Sequence, residues 1–326
     1  VTAGGLGEFG RIARYFAPLA GPGGLGLKDD AALVECPPGS RLVATVDQAV
    51  EGVHFLPDDP PDLVAKKLLR RNLSDLAAMG AVPRHYLVTS ALPKSCGDEW
   101  VGGFAAGLRD DQRRYGIDLL GGDSTATVGP IVLTLTAIGE VAAGQEIRRA
   151  GAQPGDEVWV SGTIGDAFLG LKVRRGDIDV ERLEPAHAAA VVERYRLPEP
   201  RTELGPRLAG IAHAMIDVSD GLVSDLNHIC ETSGVGATIA LNAIPRSDAA
   251  KAIWRWVSPA RLATGGDDYE LLFAAPPDAA GAIAALSAEL SLAITRIGEV
   301  AAGSGVRLLT PKGREVAIER TGYRHF

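Results

Sequence analysis

The sequence predicts a layered α/β (α+β) fold in two domains, and three observations carry that prediction. Glycine is abundant, at 40 residues, while aromatics make up only 5%, a mix suited to helices packed closely on sheets with many tight turns. Apolar runs of strand length alternate along the chain with amphipathic helical patterns. A length of 326 residues suits two domains of roughly 100 to 200 residues each.

Arg41 to Val46 and Ile131 to Ala137 are the first predicted strands, and the second alternates Leu133 and Leu135 with Thr134 and Thr136 as a half-exposed strand does. Two helices are predicted between them. The first runs from about Asp62, after Pro60 and Pro61, to Gly80, with Pro83 beyond. The second starts near Asp98, carries Trp100, Val101, Phe104 and Leu108 on one face, and stops at Gly116. A composition break from Ala142 to Gly155 marks the domain boundary, giving domains 1–145 and 146–326. Beyond it come a strand from Glu157 to Val160, helices through Phe168 and Val191, a strand from His213 to Ile216 and a helix from Ser219.

A net charge of −8 argues against a nucleic-acid binder, which would show a basic face, and no apolar run is long enough for a membrane span or a signal core. Cys36, Cys96 and Cys230 are odd in number and lack C-x-x-C spacing, so neither a disulfide framework nor a thiolate zinc site is expected and a reducing cytoplasm is the natural setting. G-x-G-x-x-G matches occur at Gly5, Gly7, Gly10 and at Gly21, Gly23, Gly26, without the preceding strand that a dinucleotide fingerprint needs. Neither a P-loop nor the protein-kinase tripeptides are present.

The aspartates carry the chemistry. Asp47, Asp123 and Asp217 each follow an apolar run, the end of a sheet where ligands of α/β proteins bind, although each alone also fits a turn or a cap. Asp29 and Asp30 form an adjacent pair that solvent or a bridging cation must accommodate. Asp75 lies within the first helix, with Arg71 one turn earlier as an ordinary partner. Ser219 suits an N-cap, and the amides after it could face a phosphate. His54 has no second histidine at metal-site spacing and is read as a hydrogen-bonding group. Glu270 opens a buried strand and therefore needs a cationic ligand or an internal partner.

The segments 43–55 (VATVDQAVEGVHF), 72–80 (NLSDLAAMG), 121–123 (GGD), 217–222 (DVSDGL) and 265–273 (GGDDYELLF), with the closing 322–326 (GYRHF), resemble the thiamine-monophosphate kinase family over nearly the whole chain. That resemblance implies a two-domain aminoimidazole-ribonucleotide synthetase-like fold with mixed sheets covered by helices, and a homodimer formed through the N-terminal domain. It implies ATP as co-substrate, thiamine monophosphate as acceptor and several Mg²⁺ ions. Asp30, Asp47, Asp75, Asp123, Asp217 and Asp220 would hold metal with Thr45 and the Val46 carbonyl; Gly122, Asp123, Arg149 and Ser219 would touch ATP. His54, Glu270 and Tyr323 would contact thiamine phosphate, and no side chain would act as nucleophile or general base. Lys28, Val46, Ala105 and Ala126 depart from the family's usual residues. The absence of a cysteine from Gly4 to Gly10 and at the chain's end speaks against selenophosphate synthetases and the hydrogenase-maturation dehydratase. Another ATP-dependent enzyme of the same superfamily and a noncatalytic metal or thiamine-phosphate binding protein are the alternatives.

Overall fold

The computed structural model describes residues 6–179, 183–253, 257–318 and 322–323. Gly5 of the first glycine motif and residues 324–326 of the closing pentapeptide lie outside the described residues. The chain forms two compact units: one of Val1–Leu76 and Ala81–Ala143, the other of Ala77–Gly80 and Gly144–Phe326.

The first unit contains α1 (Glu8–Arg11), β1 (Ser40–Val50), α2 (Pro61–Ala78), β2 (Val82–Pro93), α3 (Asp98–Tyr115), β3 (Asp118–Thr127) and β4 (Val132–Ala142). Its sheet has the order β1-β4-β2-β3, with β2 and β3 parallel and the other pairs antiparallel. Leu133, Leu135 and Ala137 of β4 are fully buried among Leu68, Leu69 and Leu73 of α2, so α2 covers one face of the sheet. The helix signals act as the sequence predicts. Asp98 and Glu99 open α3, Arg113 and Arg114 close it, and left-handed Gly116 (φ 63°) terminates it with its N–H on the Gln112 carbonyl. A buried two-pronged ion pair, Arg70 Nε to Asp111 Oδ2 at 2.7 Å and Nη2 to Oδ1 at 3.0 Å, ties α2 to α3.

The strands of this unit differ from expectation in two ways. β1 continues through Val50 because its register with β4 runs unbroken from Ser40↔Ala142 to Val50↔Val132, so Asp47 lies within a strand and not past its end. β2 and β3 fill the stretches flanking α3, placing Asp123 mid-strand. Register shifts at Pro83/His85 and at Tyr86/Leu87 interrupt the alternation that would have marked them.

The second unit runs β5 (Glu157–Ser161), α4 (Asp166–Arg174), α5 (Pro185–Arg196), β6 (Ala214–Asp217), α6 (Leu222–Ser233), β7 (Gly236–Ala240), α7 (Asp248–Ile253), α8 (Pro259–Leu262), β8 (Leu271–Ala275), α9 (Ala280–Glu289), β9 (Ile294–Ala301) and β10 (Gly305–Leu309). The six strands follow the order β10-β7-β9-β5-β8-β6, and all pairs but β10–β7 are antiparallel. Leu222, Leu226 and Ile229 form the buried stripe of α6 against Val158, Val160 and Ile216 of the sheet. Among the described residues, no helix is long and apolar enough to cross a membrane.

Candidate functional site

In the first unit, the pleat of β1 turns Thr45 and Asp47 toward α2 and Val46 outward, where its side chain is 61% exposed. Thr45 Oγ1 donates to Asp75 Oδ2 at 2.7 Å, and Arg71, one turn before Asp75, brings Nη2 to 3.2 Å from Asp47 Oδ1. Two carboxylates, a hydroxyl and a guanidinium therefore meet where β1 packs on α2.

Asp123 lies on the other face of the sheet. Register aligns Asp47 with Leu135, Val88 and Gly122, and aligns Asp123 with Thr89, Thr134 and Gln48 in the next row. Consecutive rows face opposite sides of a sheet, so Asp123 points away from the face that carries Asp47. Gly122 has a packing reason to be glycine, because a Cβ there would lie 1.8 Å from the Val88 carbonyl oxygen. Asp30 is in an exposed loop pinned by Gly21 N–H to Leu119 O at 2.9 Å and Leu33 N–H to Gly23 O at 2.8 Å. His54 is half-buried in the turn after β1, where Nδ1 accepts the Val50 N–H at 3.1 Å. That bond fixes the neutral tautomer with its proton on Nε2. Among the described residues, no group of three acidic, His or Cys side chains is assembled to hold a metal ion. The donors themselves are all oxygens, the type Mg²⁺ prefers, so the residues fit such an ion in chemistry.

In the second unit the structure brings Asp217, Ser219, Asp220 and Tyr323 together. Asp217 ends β6 and is buried at 2% exposure. The turn that follows is held by the segment before β8: Asp267 N–H donates to Ser219 O, and Tyr269 N–H to Val218 O, both at 2.8 Å. Tyr323 N–H donates to Asp220 O at 3.0 Å. Asp267 and Tyr269 both take left-handed backbone conformations (φ 73° and 52°), a strain found chiefly where surrounding contacts fix a functional loop.

The expectation for Ser219 is corrected. The N-cap of α6 is Gly221, not Ser219. The amides of Ser219, Asp220 and Gly221 do not face outward; all three donate to Asp225 Oδ2, at 3.0, 3.1 and 3.0 Å. Burial and the nearby Asp220 charge push the Asp225 carboxyl up to about 7 against the pull of these amides. Arg149 is exposed and separate from this turn: its carbonyl accepts from Ser233 Oγ at 3.3 Å, at the far end of α6, about 18 Å of helix away.

Glu270 has no exposed surface, and its partners are internal. Arg201 Nε donates to Oε2 at 2.6 Å, Arg194 Nη2 to Oε1 at 3.0 Å and Ser161 Oγ to Oε2 at 2.6 Å. Burial alone would raise its pKa, but the two guanidinium groups and the hydroxyl outweigh that and hold it below the usual range. Buried Asp268 accepts the Gly165 N–H at 2.8 Å at the start of α4, and desolvation pushes it well up. Sequence reasoning missed Asp225, Asp268, Arg194 and Arg201. Only Asp225 left a local signal, an acidic residue in the first turn of a helix.

Residues 28–141 match the AIR synthase related protein N-terminal domain, and residues 153–310 the C-terminal domain of the same family. A thiamine-monophosphate kinase of Caulobacter vibrioides is 42% identical over 98% of this chain and 90% of its own length. The chain belongs to the thiamine-monophosphate kinase family. The family's Salmonella typhimurium member is 39% identical over 98% of both chains. Among solved structures, a thiamine-monophosphate kinase from Stenotrophomonas maltophilia K279a superposes with a TM-score of 0.80 at 38% identity, covering 89% of this chain and 91% of that one. The structure of AaThiL complexed with AMPPCP and TMP gives a TM-score of 0.79 at 32% identity, over 98% and 97%. The hydrogenase maturation protein HypE of E. coli, at 21% identity and a TM-score of 0.78 over 96% and 95%, shares the fold.

Proposed function

We propose that this chain transfers the γ-phosphoryl group of ATP to thiamine monophosphate. A terminal phosphate oxygen of the acceptor attacks the γ-phosphorus, the bond to the β–γ bridging oxygen breaks, and thiamine diphosphate and ADP leave. The observation that carries this reading is likeness to thiamine-monophosphate kinases along nearly the whole chain, at 42% identity over 98% of it in the Caulobacter vibrioides relative. The acceptor oxygen is already ionised at neutral pH, so no general base is needed. The task left to the protein is alignment and charge neutralisation.

Asp47, Asp75 and Thr45 on the first unit, with Asp30, Asp123 and the Val46 carbonyl, and Asp217 and Asp220 on the second, are the residues proposed to hold Mg²⁺. When bound, Mg²⁺ supplies positive charge to the phosphate oxygens. Gly122, Asp123, Arg149 and Ser219 are assigned to ATP. His54, with its donor nitrogen defined by the Val50 bond, and exposed Tyr323 are assigned to thiamine monophosphate. Glu270 is assigned to the same substrate through the Arg194 and Arg201 side chains that it holds, since its own oxygens are engaged.

The active species is proposed to be a homodimer in a reducing cytoplasm. Leu42 (41%), Val46 (61%) and Val82 (40%) leave apolar surface on the sheet face opposite α2, which a second copy would cover, and the three cysteines are free thiols. The deciding experiment incubates the purified protein with ATP, Mg²⁺ and thiamine monophosphate, with free thiamine as a parallel acceptor. Equal ADP and thiamine diphosphate, abolished by EDTA and absent with thiamine, is the expected result; ADP without thiamine diphosphate sinks the proposal.

A further inference from the structure

Every main-chain polar group of the turn between β6 and α6 that carries Ser219 and Asp220 has a protein partner. The carbonyls of Val218, Ser219 and Asp220 accept the N–H groups of Tyr269, Asp267 and Tyr323, and the Val218 N–H donates to Glu270 O at 2.8 Å. The amides of Ser219, Asp220 and Gly221 converge on a single oxygen, Asp225 Oδ2, at 3.0 to 3.1 Å. Three consecutive amides aimed at one point make an anion-binding concavity, and here an internal carboxylate fills it. The backbone around it has little freedom, since Gly221 has φ 128° and a Cβ there would lie 2.8 Å from the Thr264 carbonyl carbon.

We infer that Asp225 is a positioning residue for the phosphoryl transfer proposed above: by gathering these three amides it fixes where the Ser219 and Asp220 side chains point. The inference rests on that reading of the site. It also predicts that phosphate is not bound by the turn's amides. The carbonyl anchors are main-chain N–H groups that substitution leaves in place, whereas the amide anchor is a side chain only 2% exposed and open to test. An asparagine keeps an acceptor oxygen at this point; an alanine does not.

The test compares wild type, Asp225→Asn and Asp225→Ala by calorimetric binding of AMPPCP as a function of Mg²⁺, alongside kcat and the Mg²⁺ activation constant. Peptide-level hydrogen exchange over residues 218–222 is read in parallel. Asp225→Ala should weaken Mg²⁺-dependent binding by roughly 10- to 100-fold, the cost typical of losing a residue that orients ligands, while Asp225→Asn stays within about 3-fold of wild type. Exchange at 218–222 should be slow in wild type and fast in the alanine variant. A folded alanine variant with wild-type Mg²⁺ constants overturns the inference. So does a wild type whose 218–222 amides exchange as freely as an open loop, a result available even if the alanine variant does not fold. Absence of thiamine diphosphate from wild type, with those amides still protected, removes the kinase reading and leaves the anchoring of the turn intact.

Discussion

Arg71 Nη2 lies 3.2 Å from Asp47 Oδ1, so the cation beside the β1 carboxylate is one of the protein's own. The Asp47 side chain is 28% exposed, a setting in which an ion pair contributes little to stability. Asp47→Asn should therefore leave the melting temperature within about 4 °C of wild type, and so should Asp75→Asn, whose amide oxygen can still accept from Thr45. Activity should fall by roughly 100-fold or more in each, because an amide is a poor Mg²⁺ ligand. Steady-state assays over a Mg²⁺ series beside thermal melts check this; unchanged activity in both variants would remove the pair from the metal set.

Glu270 presents the opposite balance. Its carboxylate is fully buried and bound by both Arg201 and Arg194, so removing its charge takes the counter-charge from two mostly buried guanidinium groups. Glu270→Gln should cost about 3–5 kcal/mol of stability at neutral pH, read from urea unfolding. The folded pKa is depressed, so the contribution is complete above the unfolded value near 4.5 and is lost as pH falls through the lower folded value. The gap between wild type and variant should narrow in acid. A shift below about 1 kcal/mol at pH 7 would mean that solvent and the arginines' other contacts, such as Arg194 with the Asp268 carbonyl, offset the lost charge.

Asp225 gives the reverse pH dependence. Its carboxyl moves from 3.8 to about 7 on folding, so between these values the folded chain holds a proton that the unfolded chain has released. Stability from this group is present below pH 4 and is lost as pH rises toward 7, on the order of 4 kcal/mol in all. In metal-free buffer, Asp225→Asn should gain on wild type in unfolding free energy from pH 5 to pH 8. Parallel pH curves for the two proteins would show that Asp225 does not titrate in this range.

The helices α2 and α3 could be read from sequence because proline, glycine and terminal charges mark their ends locally. β2 and β3 could not, since a strand interrupted by register shifts and carrying Pro83 or paired glycines loses the alternation by which strands are recognised. The same locality governs the site. Asp217 was legible because it ends a short apolar run, whereas Asp47 and Asp123 became mid-strand residues once pairing with β4 and β2 extended their strands. That Glu270 needed a counter-charge followed from its apolar surroundings. Which cations supply it did not, because Arg194 and Arg201 stand 76 and 69 residues away.

Leu42, Val46 and Val82 lie on the sheet face that α2 leaves uncovered, and register places Leu42 and Val82 in one row on either side of Glu140. Apolar side chains so aligned on a face with partly open Thr134, Thr136 and Ile138 favour burial against another sheet. A second copy would present the same face, the self-complementary arrangement of a two-fold dimer. Val46→Glu introduces a charge at the centre of that face while leaving the α2 side, with Thr45 and Asp47, untouched. Sedimentation should then find a dimer for wild type and a folded monomer for the dilute variant, whose melting temperature no longer depends on concentration. A concentration-independent wild-type monomer would remove the dimer, and a variant that remains dimeric would place its interface on another surface.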